Sequence, residues 1–179
     1  AAAETGHLVL STLHTLDAGE TINRILSAFP PYQQKQIRMQ VASVLRAIVS
    51  QRLVPKKEGG GRVPAVEVLI NNTRTRAMLE NEDRTKELHQ AIEESFTSYG
   101  MQTFDQSLTF LLNQNLISYE EALRQSSNPD DFALRHSGIS SQGGSHFEHF
   151  EQTQSLDEFQ TQPAPKVAND TSLRPAAKT

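Results

Sequence analysis

The chain contains 179 residues with a net charge of −4 and no cysteine. This length suffices for one domain with a hydrophobic core, and the small negative charge gives no indication of a nucleic-acid partner. The absence of cysteine excludes disulfides and thiolate metal sites. No apolar run approaches the roughly 18 residues of a membrane span, and the first residues lack the pattern of a signal peptide, so we expect no membrane insertion.

The stretch Gly6–Thr15 is rich in Leu and Val and predicts a strand over residues 7–13, buried on both faces in a parallel sheet. Ligands bind outside the carboxyl ends of strands in open α/β sheets, so the polar residues after the apolar run are candidate ligand contacts. They are Thr12, His14 and Thr15. A metal site shared by His7 and His14 is excluded, because seven strand residues at roughly 3.3 Å each separate them by about 23 Å.

Two helices follow the predicted strand. Asp17 and Glu20 form an N-cap and capping-box pair, and apolar residues then recur at helical spacing as far as Phe29. Pro31 suits the first turn of the second helix. Three arginines lie on the polar faces of these helices, where we expect contact with solvent, and a subunit contact is the alternative. They are Arg24, Arg38 and Arg46.

A β-hairpin is predicted after the second helix. Residues 51–55 form its first strand, residues 56–62 carry three glycines typical of a turn, and residues 63–70 form its second strand. Gln51 and Arg52 lie at the start of the first strand. They are candidate contacts to a nucleotide or a neighbouring subunit, and a solvated strand end is an equal alternative.

From residue 73 onward the pattern predicts short helices, and Gly100 breaks one of them. Capping residues mark the helix starts. They are Asp83, Thr103, Ser118 and Asn128. We therefore predict an α/β part at residues 1–72, an all-helical subdomain at 73–139 and a disordered tail at 140–179.

The composition of the chain changes at Ser137, after which polar residues, Gly, Pro and Ala dominate and helical periodicity is lost. Residues 146–150 and 156–159 form acidic-aromatic patches, which are either a docking motif for a partner or part of an unbound tail. His146 and His149 are close in sequence but lack a third ligand, so they make a weak metal site.

The sequence AETGHLVLSTLHT at Ala3–Thr15 resembles the His box of secretion-type hexameric ATPases, the motors of type II secretion and type IV pili. Three later segments narrow the resemblance to PilT-type pilus-retraction ATPases, because extension and secretion ATPases usually lack these C-terminal helical segments. These segments are Gly100–Leu108, Ile117–Leu123 and Asn128–Phe132. The resemblance covers about residues 1–139.

This resemblance implies part of a RecA-like ATPase core in a ring of six identical subunits. Such motors hydrolyse ATP, with Mg²⁺, to depolymerise type IV pili at the cytoplasmic face of the inner membrane, where a pilus platform protein is the partner. The His box then lies by the nucleotide phosphates. His14 is the implied contact to the terminal phosphate, Thr12 and Thr15 lie beside it, and His7 is the second His-box histidine.

The sequence departs from this family in one respect that concerns activity. It contains no G-x-x-x-x-G-K-[ST] phosphate loop, since neither Lys-Ser nor Lys-Thr follows Gly59-Gly60-Gly61 at the required spacing, and the acidic Mg²⁺-binding motifs are absent too. ATP then lacks an anchoring site. We therefore expect the chain to be the C-terminal portion of a longer protein and inactive alone. The alternatives are a fragment of a type II secretion or pilus-extension ATPase, and a non-catalytic interaction module.

A second departure concerns the helix that in the retraction family is similar to Ala-Ile-Arg-Asn-Leu-Ile-Arg-Glu. Residues 74–81 occupy its place here. Arg76 aligns with the first arginine of that motif, but Glu80 and Asn81 replace the second arginine and the glutamate. This leaves open whether the protein is the principal retraction motor or an accessory paralogue.

Overall fold

The computed structural model describes residues 2–137. The predicted tail at 140–179, including its acidic-aromatic patches, lies outside these residues. The described helices and strands are α1 Ala18–Ser27, α2 Pro31–Val44, β1 Ala47–Pro55, β2 Arg62–Ile70, α3 Thr73–Glu80, α4 Leu88–Glu94, α5 Phe96–Tyr99, α6 Phe104–Asn113, α7 Tyr119–Gln125 and α8 Pro129–His136, with 3₁₀ helices at Ala3–Thr5 and Asp83–Glu87. Within residues 2–137, no helix has both the length and the apolar character to cross a membrane.

The predicted hairpin is confirmed. β1 and β2 are antiparallel, with pairing that runs from Ala47 opposite Ile70 to Pro55 opposite Arg62. Successive side chains of a strand point to opposite faces, and one face of the hairpin packs against helices while the other carries exposed side chains such as Val49.

The edge of β2 away from β1 is held by the segment that leads into α6. The Val68 N–H donates to the Gln102 carbonyl at 2.8 Å, and the Gln102 N–H donates to the Val68 carbonyl at 3.2 Å. The Gln102 side chain donates to the Val66 carbonyl at 2.8 Å, and the Val66 N–H donates to the Ser107 hydroxyl at 3.0 Å. This segment therefore fixes the middle of β2.

Two hydrophobic cores lie against the hairpin. The first joins it to α1, α2, α3 and α4, and its members include Ile22, Leu26, Leu69, Leu79 and Ile92. The second joins it to α6, α7 and α8, and its members include Val54, Ala65, Phe104, Leu108 and Phe132. Both cores combine residues from before and after residue 72, so the hairpin and the later helices are packed together.

The predicted buried strand at residues 7–13 is wrong for this chain. Residues 7–16, which we name the His segment, have no regular secondary structure, and Leu8 and Leu10 are 82% and 88% exposed. A strand needs a neighbour for its backbone N–H and C=O groups, and among residues 2–137 the sheet consists of β1 and β2. The chain therefore has a mixed helix and strand fold built on an antiparallel hairpin.

Most predicted helix starts are confirmed by hydrogen bonds of their capping side chains. The carboxylate of Asp17 accepts from the Glu20 N–H at 2.7 Å, and Thr103 and Gln106 form a reciprocal capping box. Ser118 and Asn128 likewise cap α7 and α8. Each of these contacts joins residues three apart, so sequence spacing suffices to predict it.

The predicted capping role of Asp83 is wrong. Its N–H donates to the side chain of Asn81 at 3.0 Å, so Asn81 supplies the acceptor in this turn. The chain then forms a 3₁₀ helix, α4 and α5 in succession. Gly100, with φ at +67°, ends α5 in the left-handed conformation, as its position predicted.

Arg38 corrects the prediction that the three helical arginines face solvent. Arg24 and Arg46 are exposed, but Arg38 is only 8% exposed. Its guanidinium donates to the Leu79 carbonyl at 3.1 Å and to the Thr85 hydroxyl at 3.2 Å. Arg38 therefore ties α2 to the end of α3, and its burial is compensated by these hydrogen bonds.

Candidate functional site

The His segment starts next to the 3₁₀ helix Ala3–Thr5, where His7 is exposed but hydrogen-bonded. Its Nδ1 lies 3.0 Å from the Thr5 hydroxyl. That hydroxyl already donates its hydrogen to the Ala2 carbonyl at 2.8 Å, so Nδ1 is the donor to Thr5. His7 is thereby attached to the turn that precedes the segment.

The other end of the His segment is held by the first turn of α1. The hydroxyls of Thr15 and Thr21 lie 2.7 Å apart, and because Thr21 donates to the Asp17 carbonyl at 2.8 Å, Thr15 is the donor between them. The Leu16 N–H donates to the Glu20 carboxylate at 2.6 Å. The segment is thus anchored where it enters the helix.

Thr12 and His14 lie between these two attachments, and both are exposed. Neither side chain has a hydrogen bond to another residue within the part of the chain that the structure describes. An imidazole can present a donor and an acceptor nitrogen, so the side chain of His14 can either donate a hydrogen bond to a ligand or accept one from it. The structure therefore places Thr12, His14 and Thr15 on one segment and His7 at its far end.

Gln51 and Arg52 are neighbours on β1, so their side chains lie on opposite faces of the hairpin. Gln51 is on the exposed face. Arg52 donates to the Gln125 carbonyl at 2.7 Å, and its guanidinium lies 3.9 Å from the centre of the Phe104 ring. Arg52 thus connects β1 with α6 and the end of α7, partly through a cation–π contact.

Glu67 is a residue of the site that the sequence analysis did not single out. It is 3% exposed, and its carboxylate accepts a hydrogen bond of 2.8 Å from the Ala18 N–H. Burial raises its pKa, and the hydrogen bond from Ala18 opposes this rise. The signal lay in the alternation of β2, because Ala65 and Leu69 are buried and Glu67 shares their face.

A pocket of about 170 Å³ lies beside the N-terminus of α1, and its lining includes Glu67, His89 and Ser127. The N–H of Ser127, one of the lining residues, donates to the carboxylate of Asp105 at 2.7 Å. Burial raises the pKa of Asp105 as well, and this hydrogen bond again opposes the rise. The site therefore contains the buried carboxylate of Glu67 and the half-buried carboxylate of Asp105, each of which accepts a backbone N–H.

The described residues form neither a metal site nor a phosphate-binding loop. Among residues 2–137, no group of three or more His, Cys, Asp or Glu side chains could hold a metal ion. The sequence also has no phosphate loop whose backbone amides and lysine could bind phosphates.

The sequence profile of the type II/IV secretion system proteins matches residues 1–124, and the chain belongs to that family. Within the family it resembles the proteins of pilus retraction. It is 40% identical over 131 residues to the type IV pilus retraction ATPase PilT of Pseudomonas aeruginosa, and this match covers 73% of the chain and 37% of PilT. It is 42% identical over 132 residues to the type IV pilus ATPase PilU of the same bacterium, and this match covers 74% of the chain and 34% of PilU.

A solved structure gives the same result. The crystal structure of the pilus retraction motor PilT with bound ADP matches with a TM-score of 0.58 and 44% identity, over 71% of this chain and 34% of that chain. By contrast, the match to the pilus assembly ATPase PilB of P. aeruginosa extends over 55 residues, or 31% of this chain. The resemblance to retraction ATPases is thus confirmed, and the chain spans about a third of the length of the retraction proteins it matches.

Proposed function

We propose that this chain is part of the subunit of a hexameric ATPase motor that powers type IV pilus retraction by ATP hydrolysis. The observation that supports this function is the similarity to PilT, which extends over 131 residues of sequence. On this proposal residues 1–72 belong to a RecA-like core and residues 73–139 to a helical subdomain. The motor acts at the cytoplasmic face of the inner membrane, with the pilus platform protein as its partner.

The proposed nucleotide contacts are on the His segment. His14 contacts the terminal phosphate of ATP, and its exposed imidazole, which has no hydrogen bond within the described residues, is suited to that role. Thr12, Thr15 and His7 are secondary contacts on the same segment. Gln51 remains a candidate for a contact to the nucleotide or a neighbouring subunit. Arg52 has the same proposed role, but its guanidinium must then leave the Gln125 carbonyl.

ATP and Mg²⁺ are anchored by groups that this chain does not contain, because it lacks a phosphate loop. We accordingly expect the chain alone to show no ATP turnover. The same absence favours the second candidate, a non-catalytic module that binds a ring ATPase or a platform protein. The two proposals differ in what the complete gene product does, since a module leaves it without ATPase activity.

The test is ATP hydrolysis by the complete gene product that carries this sequence, in the wild type and with His14→Ala. Loss of a group that stabilises charge on the reacting phosphates lowers kcat by roughly a hundredfold. Ser11→Ala is the matched control, because Ser11 is exposed on the same segment, and we expect it to leave kcat unchanged. Equal hydrolysis by wild type and His14→Ala would contradict the proposed role of His14.

The direction of the motor is tested in cells. Deletion of the gene is expected to abolish twitching motility while surface pili persist, because retraction stops and assembly continues. Loss of the pili themselves would instead indicate an extension ATPase. Complementation with His14→Ala should fail, whereas Ser11→Ala should restore motility.

A further inference from the structure

The contact between Glu67 and α1 joins two elements that are far apart in sequence. The first N–H groups of a helix have no acceptor within the helix, and Asp17 takes up the N–H of Glu20. The N–H of Ala18 is bound by the buried carboxylate of Glu67, 49 positions away. β2 therefore contributes one acceptor to the cap of α1.

The turn that Glu67 holds is also the turn that anchors the His segment. Thr15 bonds to Thr21, and Leu16 bonds to Glu20, so the end of the segment is attached to residues of α1. His14 directly precedes these attachments. A change in the position of the first turn of α1 is consequently transmitted to His14.

Glu67 itself projects from a part of β2 that is hydrogen-bonded on both edges. Its neighbours Val66 and Val68 are both hydrogen-bonded to Gln102, and Val66 is bonded to Ser107 as well. Gln102 and Ser107 belong to the stretch Gly100–Leu108, one of the segments that resemble retraction ATPases. This stretch thus has a direct structural connection to the carboxylate that caps α1.

We propose that Glu67 is a positioning residue for His14, and that Gln102 and Ser107 serve the nucleotide site by holding β2 so that Glu67 meets the N-terminus of α1. Glu67 acts through the backbone of Ala18 and does not touch substrate. This inference rests on the proposed role of His14, but the connection from Gln102 to the His segment can be measured without ATP.

Hydrogen exchange of the chain is the first measurement, with Glu67→Ala and Glu67→Gln compared with wild type. Glu67→Ala removes the acceptor, so the Ala18 amide is expected to exchange roughly tenfold faster or more. Glu67→Gln keeps a carbonyl acceptor and should show a smaller increase. Glu58→Ala, a change in the exposed hairpin turn, is the control and should have no effect at Ala18.

Gln102→Ala keeps the test decisive should Glu67→Ala fail to fold. It removes the side-chain hydrogen bond to Val66 and leaves the backbone bridge to Val68 in place. We expect faster exchange at Ala18 but unchanged exchange at Leu69 in the core. An unchanged Ala18 amide in the folded variants would overturn the proposal.

The second measurement separates positioning from a purely structural role. NMR order parameters of the Thr15 and Leu16 amides are expected to fall in Glu67→Ala and Gln102→Ala, whereas a mere loss of global stability leaves the order of the native state unchanged. Constant order parameters at both residues would overturn the positioning role. A failure of the proposed function appears separately, as equal ATP hydrolysis in wild type and His14→Ala.

Discussion

The His segment and the β-hairpin are both stretches rich in apolar residues, yet only the hairpin is packed. Its two strands are close in sequence, so each provides the backbone hydrogen bonds that the other needs. The His segment has no such neighbour within residues 2–137, and Leu8 and Leu10 remain in solvent. An apolar stretch therefore becomes a strand only where a second stretch pairs with it.

The largest effect that can test this contrast is expected from Phe104→Ala. Phe104 is fully buried in the core beside the hairpin and carries the guanidinium of Arg52 on its ring. Its truncation should lower the free energy of unfolding by about 3–5 kcal/mol, measured from urea unfolding at constant m value. Leu10→Ala is the control and should change it by less than about 0.5 kcal/mol. A comparable loss for Leu10→Ala would mean that the His segment is packed in solution.

A smaller effect is expected from two glycines that share the left-handed conformation. Gly100, with φ at +67°, joins α5 to the segment that holds β2, so Gly100→Ala should destabilise the fold by about 1–2 kcal/mol. Gly6 has φ at +89° but lies next to the His segment. Gly6→Ala should leave the thermal midpoint unchanged, because its turn can open without unfolding the cores. Equal midpoint shifts for both variants would contradict this distinction.

The structure explains why some parts of the fold are predictable from sequence. Helix caps such as Asp17 and Thr103 bond to a residue three positions away, so the local pattern contains all the information. The burial of Arg38 depends on a carbonyl 41 positions away, which no local pattern contains. The strand at residues 7–13 was mispredicted for a related reason, because its apolar content specifies a preference for burial but not a partner.

A substitution at Ser50 is expected to stabilise the fold, unlike the two destabilising substitutions above. Its hydroxyl is the buried side-chain polar atom that lacks a hydrogen-bond partner within residues 2–137, and it lies opposite Glu67 on the hairpin. Removal of an unsatisfied hydroxyl recovers part of its desolvation cost, so Ser50→Ala should stabilise the fold by about 1 kcal/mol. Ser11→Ala in the exposed His segment should have no effect on thermal unfolding. Destabilisation by Ser50→Ala would indicate that a bound water or other group satisfies the hydroxyl.

The smallest expected effect is a dependence on pH. Burial raises the pKa of Glu67 above its ordinary value of 4.5; Asp17 raises it further, whereas the Ala18 N–H, His89 and Arg52 lower it. A raised pKa in the folded state contributes stability below the unfolded pKa, and this contribution is lost as pH rises through the folded pKa.

Wild type should therefore lose stability relative to Glu67→Gln as pH rises from below 4.5 toward neutrality. Urea unfolding across this range measures the difference. Glu58→Gln, in the solvent-exposed turn of the hairpin, should give a curve parallel to that of wild type. Parallel curves for wild type and Glu67→Gln would show that burial does not control this carboxylate.

The candidate site was only partly predictable. The types and order of residues in the His segment suffice to recognise the family, and the comparisons confirm that recognition. The predicted strand is wrong, because a strand needs a pairing partner and no strand pairs with the segment among residues 2–137. For Glu67, a buried position in the alternation of β2 predicts that the carboxylate has a hydrogen-bond partner. It does not predict that this partner is the Ala18 amide.

The aliphatic side chains that the His segment exposes also affect how molecules of this chain behave toward one another. Leu8, Leu10 and Leu16 project from a stretch outside both cores, so they can meet between molecules at little cost in folding free energy. We therefore expect these leucines to contribute to attraction between molecules, which the second virial coefficient measures. Charged replacements there would improve solubility while leaving thermal stability as it is, so the two properties can be engineered independently.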